Sequence, residues 1–373
     1  MRSYLCDRAI VDEEGQRYPM TCGVPQGSVL GPKLWNILYD GVLRLKMPEA
    51  VTLVAFADDL AIVVNARTEE ELIYNGNAAL RSIICWLEEK GLQIAIEKTE
   101  AVLLIGRKKA RSPIFFAVKD QHLIPNNYLK YLGVHLDKNL SFGEHINETL
   151  KKATKVAVQL ERLMPRMNGP EGSKRRLLAG VVYSVALYAA PVWAEALQVG
   201  KYRKVLEKLQ RRVAIRVCRA YRTVSTAGAT IIAGLIPMNL LALERKAQFL
   251  KIGDKRSRRA DTLKKWQDSW NVYGESAWTK TLIPDIETWV TRKHGENEFH
   301  LTQFLTGHGC FGNYLFRIGR KETSTCWFCH DEQDSPEHSI IKCVRWNKER
   351  DEAHRELGVI LSKENVMSKM LAS

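Results

Sequence analysis

Apolar and polar positions follow two patterns along this chain. Up to about residue 142 the apolar runs are short and strand-like, with two helical patterns among them. Asp7 to Gly15 reads as two short strands around a turn, and Leu53 to Val64 as a strand-type run interrupted at Ala57-Asp58-Asp59. Helices are expected from Lys33, with Leu34, Ile37 and Leu38 in a helical pattern, and over about Thr68 to Lys90. In the second, Leu72, Ala79, Ile83, Trp86 and Leu87 make an apolar stripe. Beyond residue 142 the pattern is helical. A helix starting near Lys201 carries Val205, Leu209 and Val213 along one side. Leu177 to Ala194 runs 18 residues without a charge, close to the minimum for a membrane span. Gly180, Tyr183, Ser184, Tyr188 and Pro191, with basic residues at both flanks, favour a buried helix broken near Pro191. Ala227 to Leu243 is helical with a break at Pro237. The prediction is an α+β fold: antiparallel strands and packing helices over 1–142, helices over 143–245, a helical linker over 246–310 and a small tail over 311–373. No internal repeat or low-complexity tract interrupts it.

Asp58 and Asp59 sit where an apolar strand should have no charge. Burying one unpaired carboxylate costs several kcal/mol, and two that repel each other cost more. A hairpin with Ala57-Asp58-Asp59 at its tip resolves the conflict. Two readings of that tip fit equally: a surface turn, since Asp favours turns, or a site for a hard divalent cation such as Mg²⁺, which takes oxygen ligands and usually only one or two carboxylates.

The neighbouring motifs break the tie. Gly23-Val24-Pro25-Gln26-Gly27-Ser28-Val29-Leu30-Gly31-Pro32 is a tight loop opening into a helix. It has neither the ending of a phosphate-binding P-loop nor the spacing of a dinucleotide fingerprint. Gly91 to Thr99 and Tyr131-Leu132-Gly133-Val134-His135-Leu136-Asp137 follow downstream. In this order and spacing the four segments closely resemble the palm of a reverse transcriptase, of the non-LTR (LINE-type) retrotransposons that include jockey-like and insect ribosomal-DNA-inserting elements. The resemblance implies RNA-directed DNA polymerase activity, with an RNA template, a DNA primer or target and deoxynucleoside triphosphates as partners. It assigns Asp58 and Asp59 to a two-Mg²⁺ site, Gln26, Gly27, Ser28 and Phe56 to the nucleotide and template, and Tyr131, Leu132 and Gly133 to the primer grip. Lys98 falls near the nucleotide phosphates, where a cation would offset developing charge; a solvated surface lysine is the competing reading.

One departure matters. The family's site has three carboxylates, and none of Asp7, Asp12, Glu13 or Glu14 has the apolar setting of the third. The expectation is a partial palm without fingers or first catalytic strand: a C-terminal fragment unable to polymerise alone. The alternative is a nucleic-acid-binding remnant that uses thumb and tail. A truncated sheet would also present an unpaired apolar edge.

Charge supports a polyanionic partner. The chain has 373 residues and a formal net charge of +14. From Lys151 to Arg222 there are 17 Lys or Arg against 4 Glu and no Asp. Lys204, Lys208, Arg211, Arg212 and Arg219 crowd the polar side of the helix near Lys201 and its end. A phosphate-tracking thumb, a solvated face, a membrane-surface helix and a calmodulin-type target all fit such a face; the palm upstream favours the thumb.

A second constellation lies near the C-terminus. Cys326, Cys329, His338 and Cys343 are spaced Cys-x2-Cys-x8-His-x4-Cys, which suits a closed tetrahedral Zn²⁺ site of structural type. Reduced, partly buried cysteines are the plainer reading, and His330 is a competing ligand that the family pattern disfavours. Cys310 lies in Gly307-His308-Gly309-Cys310-Phe311-Gly312, a loop that also recurs before the cysteine cluster in these elements. Eight cysteines, with Cys6, Cys22, Cys85 and Cys218 outside these motifs, do not form a secreted disulfide framework. Trp266, Trp270, Trp278 and Trp289 interleave with charges; they either stack on bases or anchor helices in a core. The N-terminus lacks a signal-peptide core, so secretion is not expected, nor is a membrane span; the expected location is the nucleus.

Overall fold

The computed structural model describes every residue except 1, 22, 106–112, 293–295, 331, 332 and 373, so Cys22 lies outside the described residues. The chain divides into two compact units, Met1–Leu140 and Ser141–Ser373.

In the first unit, strand-type runs separated by turn residues pair locally. Ala9–Val11 pairs with Arg17–Pro19, and Val51–Phe56 with Asp59–Val64. Phe116–Val118 pairs with Gln121–Leu123, and Tyr128–Tyr131 with Val134–Asp137. All four pairs are antiparallel and remain separate two-stranded sheets. An isolated hairpin is marginal in water. The helix Glu69–Glu89 covers two of these, the hairpins of residues 51–64 and 116–123, whereas Ala9–Val11 and Arg17–Pro19 are largely exposed. Thr68 Oγ1 accepts from the Glu71 N–H, and Glu71 accepts from the Arg67 N–H, so the helix start is capped from both directions. Its Ile83, Trp86 and Leu87 pack with Tyr39 and Val42 of the helix Gly31–Leu43. Leu80, one turn away, packs with Ile114, Phe116 and Val118. The two contacts are close: a Cβ on Gly41 would lie 2.7 Å from the Trp86 ring, and one on Gly76 would lie 2.6 Å from Phe116. Helices and small antiparallel sheets together make an α+β fold, as expected.

The second unit is helical through most of its length, and buried residues from Ile146 to Met367 form one cluster. The helices Gly143–Glu161, Gly172–Ala186 and Gly200–Val217 start this core. Lys255–Val272, Ile286–Thr291 and Phe299–Thr306, which fall in the expected linker, contribute to the same core. The charge-free run ends its helix at Ala186 and restarts at Ala190, with Ala189 at φ 52° and Pro191 in the first turn of the new helix. The next pair breaks at Gly234–Pro237. Among the described residues no single helix is long and apolar enough to cross a membrane; these two bent pairs pass only together, at 56° and 57°.

Tryptophans pin this core. The Trp193, Trp270 and Trp289 side chains are fully buried, and their indole N–H groups donate to the carbonyls of Tyr188, Ile283 and Ile231. Trp278 likewise donates to Phe304 O. Buried indoles need such partners, so these rings are anchors, not base-stacking surfaces. Arg175 is also fully buried. Its guanidinium donates to the carbonyls of Pro170, Arg216 and Pro165, closing the Met164–Gly172 turn onto the helix Gly200–Val217. Burial, then the nearby Arg219 and Arg216 charges, lower its pKa to about 10, so it stays cationic at neutral pH. Arg175→Ala would remove three hydrogen bonds and the packing of a fully buried side chain, and we expect it to reduce the free energy of unfolding by about 3 kcal/mol. Urea denaturation of the variant beside the parent chain measures this.

Candidate functional site

Strand alternation decides where the two aspartates point. Leu53, Ala55, Leu60 and Ile62 pack against the cluster of Tyr39, Val42, Ile83, Trp86 and Leu87. Phe56 and its cross-strand partner Asp59 therefore face the other way, and both are exposed. Asp58 lies in the two-residue turn beside Ala57, whose φ of 53° is left-handed and costs an Ala roughly 1 kcal/mol. The helix Gly31–Leu43 holds this turn. Trp35 Nε1 donates to Ala57 O at 3.0 Å, and the Tyr39 hydroxyl donates to Asp58 O at 3.5 Å. Their rings stack with centroids 5.1 Å apart. The Tyr39 phenol is pushed above its usual pKa by burial and then by Asp58 and Asp59. Tyr131 is shifted the same way, by burial and then by Asp59. The structure thus brings Tyr131 within the field of Asp59, and its buried hydroxyl has no hydrogen-bond partner. Sequence reasoning missed Trp35 and Tyr39; two aromatics one helical turn apart after the glycine loop were the available signal.

The other predicted residues occupy turns. Ser28 N–H donates to Pro25 O, which closes a turn over Gln26 and Gly27 with Gly27 at φ 84°; only glycine takes that angle without strain. Ser28 Oγ accepts from the Gly31 N–H and from the Tyr4 hydroxyl, tying the loop to the helix start. Gln26 and Gly27 are exposed. Leu132 and Gly133 form a hairpin turn with φ 45° and 80°, a turn that suits glycine and strains leucine. Lys98 is exposed at the end of the short Ile96–Lys98 helical turn.

The basic helix splits into two sets. Lys204 and Lys208 are exposed. Arg211 donates to the carbonyls of Val224 and Arg222, and Arg219 donates to Pro170 O. Arg212 pairs with Glu161 through both its Nε and Nη2 atoms. Three of the five predicted phosphate contacts are therefore engaged within the fold.

The four predicted metal ligands come together, with their ligating atoms all within 4.8 Å of one another. Cys326 and Cys343 sulfurs are 3.7 Å apart, and Cys329 Sγ lies 3.3 Å from His338 Nε2. A tetrahedral site with Zn–S near 2.3 Å has sulfurs about 3.8 Å apart, so this donor set fits one such ion. Burial raises the Cys326 pKa, but N–H groups of Cys329 and Phe328 and the side chains of His338 and Cys329 bring it down to about 7. Burial pushes Cys343 up, so Cys326 ionises first. His330 is exposed and outside the cluster.

Beside the cluster, Asp334 accepts from the Gly312 N–H at 2.8 Å, and this joins it to the glycine loop. In that loop His308 stacks on Tyr314. Its Nδ1 is 2.9 Å from Thr223 Oγ1, and Arg317 lies 3.3 Å from its Nε2. Arg317 can only donate, so the neutral imidazole carries its proton on Nδ1 and donates to Thr223. Burial, then the Arg317 charge, lower its pKa to about 4. As pH falls below about 6.5 the unfolded chain takes up a proton that the fold refuses. This histidine's contribution is therefore full above pH 6.5, falls towards pH 4 and is constant below. After discounting for solvent screening it is about 1–2 kcal/mol. Denaturation of His308→Asn beside the parent at pH 7 and pH 5 should show the stability gap between the two narrowing at the lower pH.

Residues 1–136 match the family model "Reverse transcriptase (RNA-dependent DNA polymerase)". The chain is 26% identical over 378 residues to the Pol polyprotein of type-1 retrotransposable element R1 2 of Nasonia vitripennis, covering 94% of this chain and 92% of that one. A second R1 polyprotein of that wasp is 26% identical over 334 residues, 82% of this chain and 98% of the relative. The RNA-directed DNA polymerase from mobile element jockey of Drosophila melanogaster is 26% identical over 226 residues, 57% of this chain and 24% of the relative. No solved structure matches. Residues 1–136 match a reverse-transcriptase domain, and the similarity of most of the chain to R1 polyproteins, with part of it similar to the jockey polymerase, supports an RNA-directed DNA polymerase function of the non-LTR retrotransposon kind.

Proposed function

We propose that Asp58 and Asp59 are the metal-binding carboxylates of this polymerase and that residues 1–142 form its palm. One observation carries this: adjacent carboxylates are presented to solvent on a hairpin turn that Trp35 and Tyr39 hold by its backbone. Exposed oxygen donors of this kind suit Mg²⁺, which keeps several waters. Bound there, Mg²⁺ would offset charge on the attacking primer hydroxyl and on the departing pyrophosphate. Asp58 and Asp59 hold the ion. Phe56 and the Gln26-Gly27-Ser28 turn lie against template and nucleotide, Lys98 meets the phosphates, and Tyr131-Leu132-Gly133 positions the primer. Lys204 and Lys208 track the duplex backbone on a thumb formed by residues 143–245. Cys326, Cys329, His338 and Cys343 hold a structural Zn²⁺, and the protein acts in the nucleus.

Mg²⁺-dependent extension of a DNA primer on an RNA template tests the assignment. Extension by the parent chain that Asp58→Ala/Asp59→Ala lowers by a factor of at least about 10², with template–primer binding retained, would establish the carboxylate assignment and overturn the expectation that this chain cannot polymerise alone. A second reading has its own observation: among the described residues no third carboxylate joins Asp58 and Asp59. Salt-sensitive binding without extension in both proteins would favour a nucleic-acid-binding role for this chain by itself. For the zinc site, a strong chelator should release one Zn²⁺ per chain and lower the melting temperature. An unchanged melting curve and no released zinc would refute it.

A further inference from the structure

We propose that Trp327 and Phe328 form a stacking platform for unpaired bases of single-stranded nucleic acid. The proposal rests on the polymerase and zinc readings for its partner and its rigidity, and adds a ligand surface to the tail.

In a Cys-x2-Cys turn both sulfurs point to one centre, so the two residues between them are pushed outward. Small or polar residues would fill those positions without cost. Here they are two large rings, Trp327 at 70% exposure and Phe328 at 58%. Three tryptophans of the second unit are treated differently: Trp193, Trp270 and Trp289 are at most 2% exposed, each with its N–H on a carbonyl. A metal-anchored turn that displays its rings marks an interaction surface.

The charges around the rings identify the partner. Lys321 Nζ sits 5.0 Å from the Trp327 ring centroid, and its position is set by donation to Thr325 O at 2.6 Å. The Arg345 guanidinium lies 5.1 Å from the Phe328 centroid and 5.7 Å from that of Trp346, itself 41% exposed. Aromatic faces beside fixed cations match a flexible polyanion whose bases are free to stack. A duplex keeps its base faces inside its own stack, and an uncharged apolar protein partner gains nothing from cations held at the rings. RNA and DNA single strands share the chemistry.

The test uses the full chain with fluorescent oligonucleotides of about 20 nucleotides, longer than the roughly 4–16 nucleotides that one single-strand-binding module covers: oligo(dT), oligo(U) and a DNA duplex. Anisotropy is read across a salt series, and zinc is quantified in every protein. Trp327→Ala/Phe328→Ala should bind both single strands about 10–100-fold more weakly, with duplex affinity within about twofold. Its salt dependence should be unchanged, because no phosphate contact is removed. Trp327→Phe/Phe328→Tyr should retain binding. Photocrosslinking of the parent chain to 5-iodouracil-substituted oligo(dT) should map to the peptide between Lys321 and Lys342. Parent-like single-strand affinity in the alanine variant with zinc retained, or crosslinks only elsewhere, overturns the platform. If the alanine variant loses zinc or fold, the parent crosslink map decides. A parent chain without zinc refutes the metal assignment, while the crosslink still judges the platform. Preference between oligo(dT) and oligo(U) assigns the natural strand.

Discussion

Two neighbouring carboxylates on an apolar hairpin are the constraint from which the first unit is organised. Because charge cannot enter the cluster under the hairpin, Leu53, Ala55, Leu60 and Ile62 must take the inner face and Asp59 the outer one. A one-residue slip would reverse every side chain and bury a carboxylate. The register is therefore enforced by penalty as well as by packing. The turn is fixed by two side chains of one helix that reach only backbone carbonyls, which leaves both carboxylates unencumbered.

The same rule, that a buried charge must be paired or hydrogen-bonded, explains the second unit. Its abundant arginines look like one nucleic-acid surface in the sequence, yet Arg175, Arg211 and Arg219 are spent on carbonyls at chain reversals, and Arg212 on Glu161. Guanidinium groups suit this because their fixed fork reaches several acceptors at once. On the same helix Lys204 and Lys208, single flexible charges, are exposed. Net charge therefore overstates the surface available to a polyanion.

The tail follows a different logic. Cys326, Cys329, His338 and Cys343 converge from three stretches of the tail, and the proposed Zn²⁺ would supply a cross-link between them. Asp334 and the His308–Thr223–Tyr314 group then join that cluster to the glycine loop and to the helices before it. Once metal ligands and loop are fixed, the residues between them have no core to enter, and the two rings at Trp327 and Phe328 stay in solvent.

Much of this was legible in the sequence because it is local. Alternation marked the hairpin, the apolar stripe and Thr68 marked the helix Glu69–Glu89, and ligand spacing marked the cysteine cluster. These depend on residues within a few turns of one another. What sequence could not supply was the partner of each polar group. Whether Arg211 meets a phosphate or the carbonyl of Val224, and whether Trp289 meets a base or the carbonyl of Ile231, depends on segments distant along the chain. Trp35 and Tyr39 became part of the aspartate site only because packing of Tyr39 and Val42 against Trp86 sets their helix beneath the turn. The sequence determined which elements form and where charge must face water; tertiary packing alone decided which charges remained free to act, since desolvation and hydrogen-bond pairing are settled by neighbours in space.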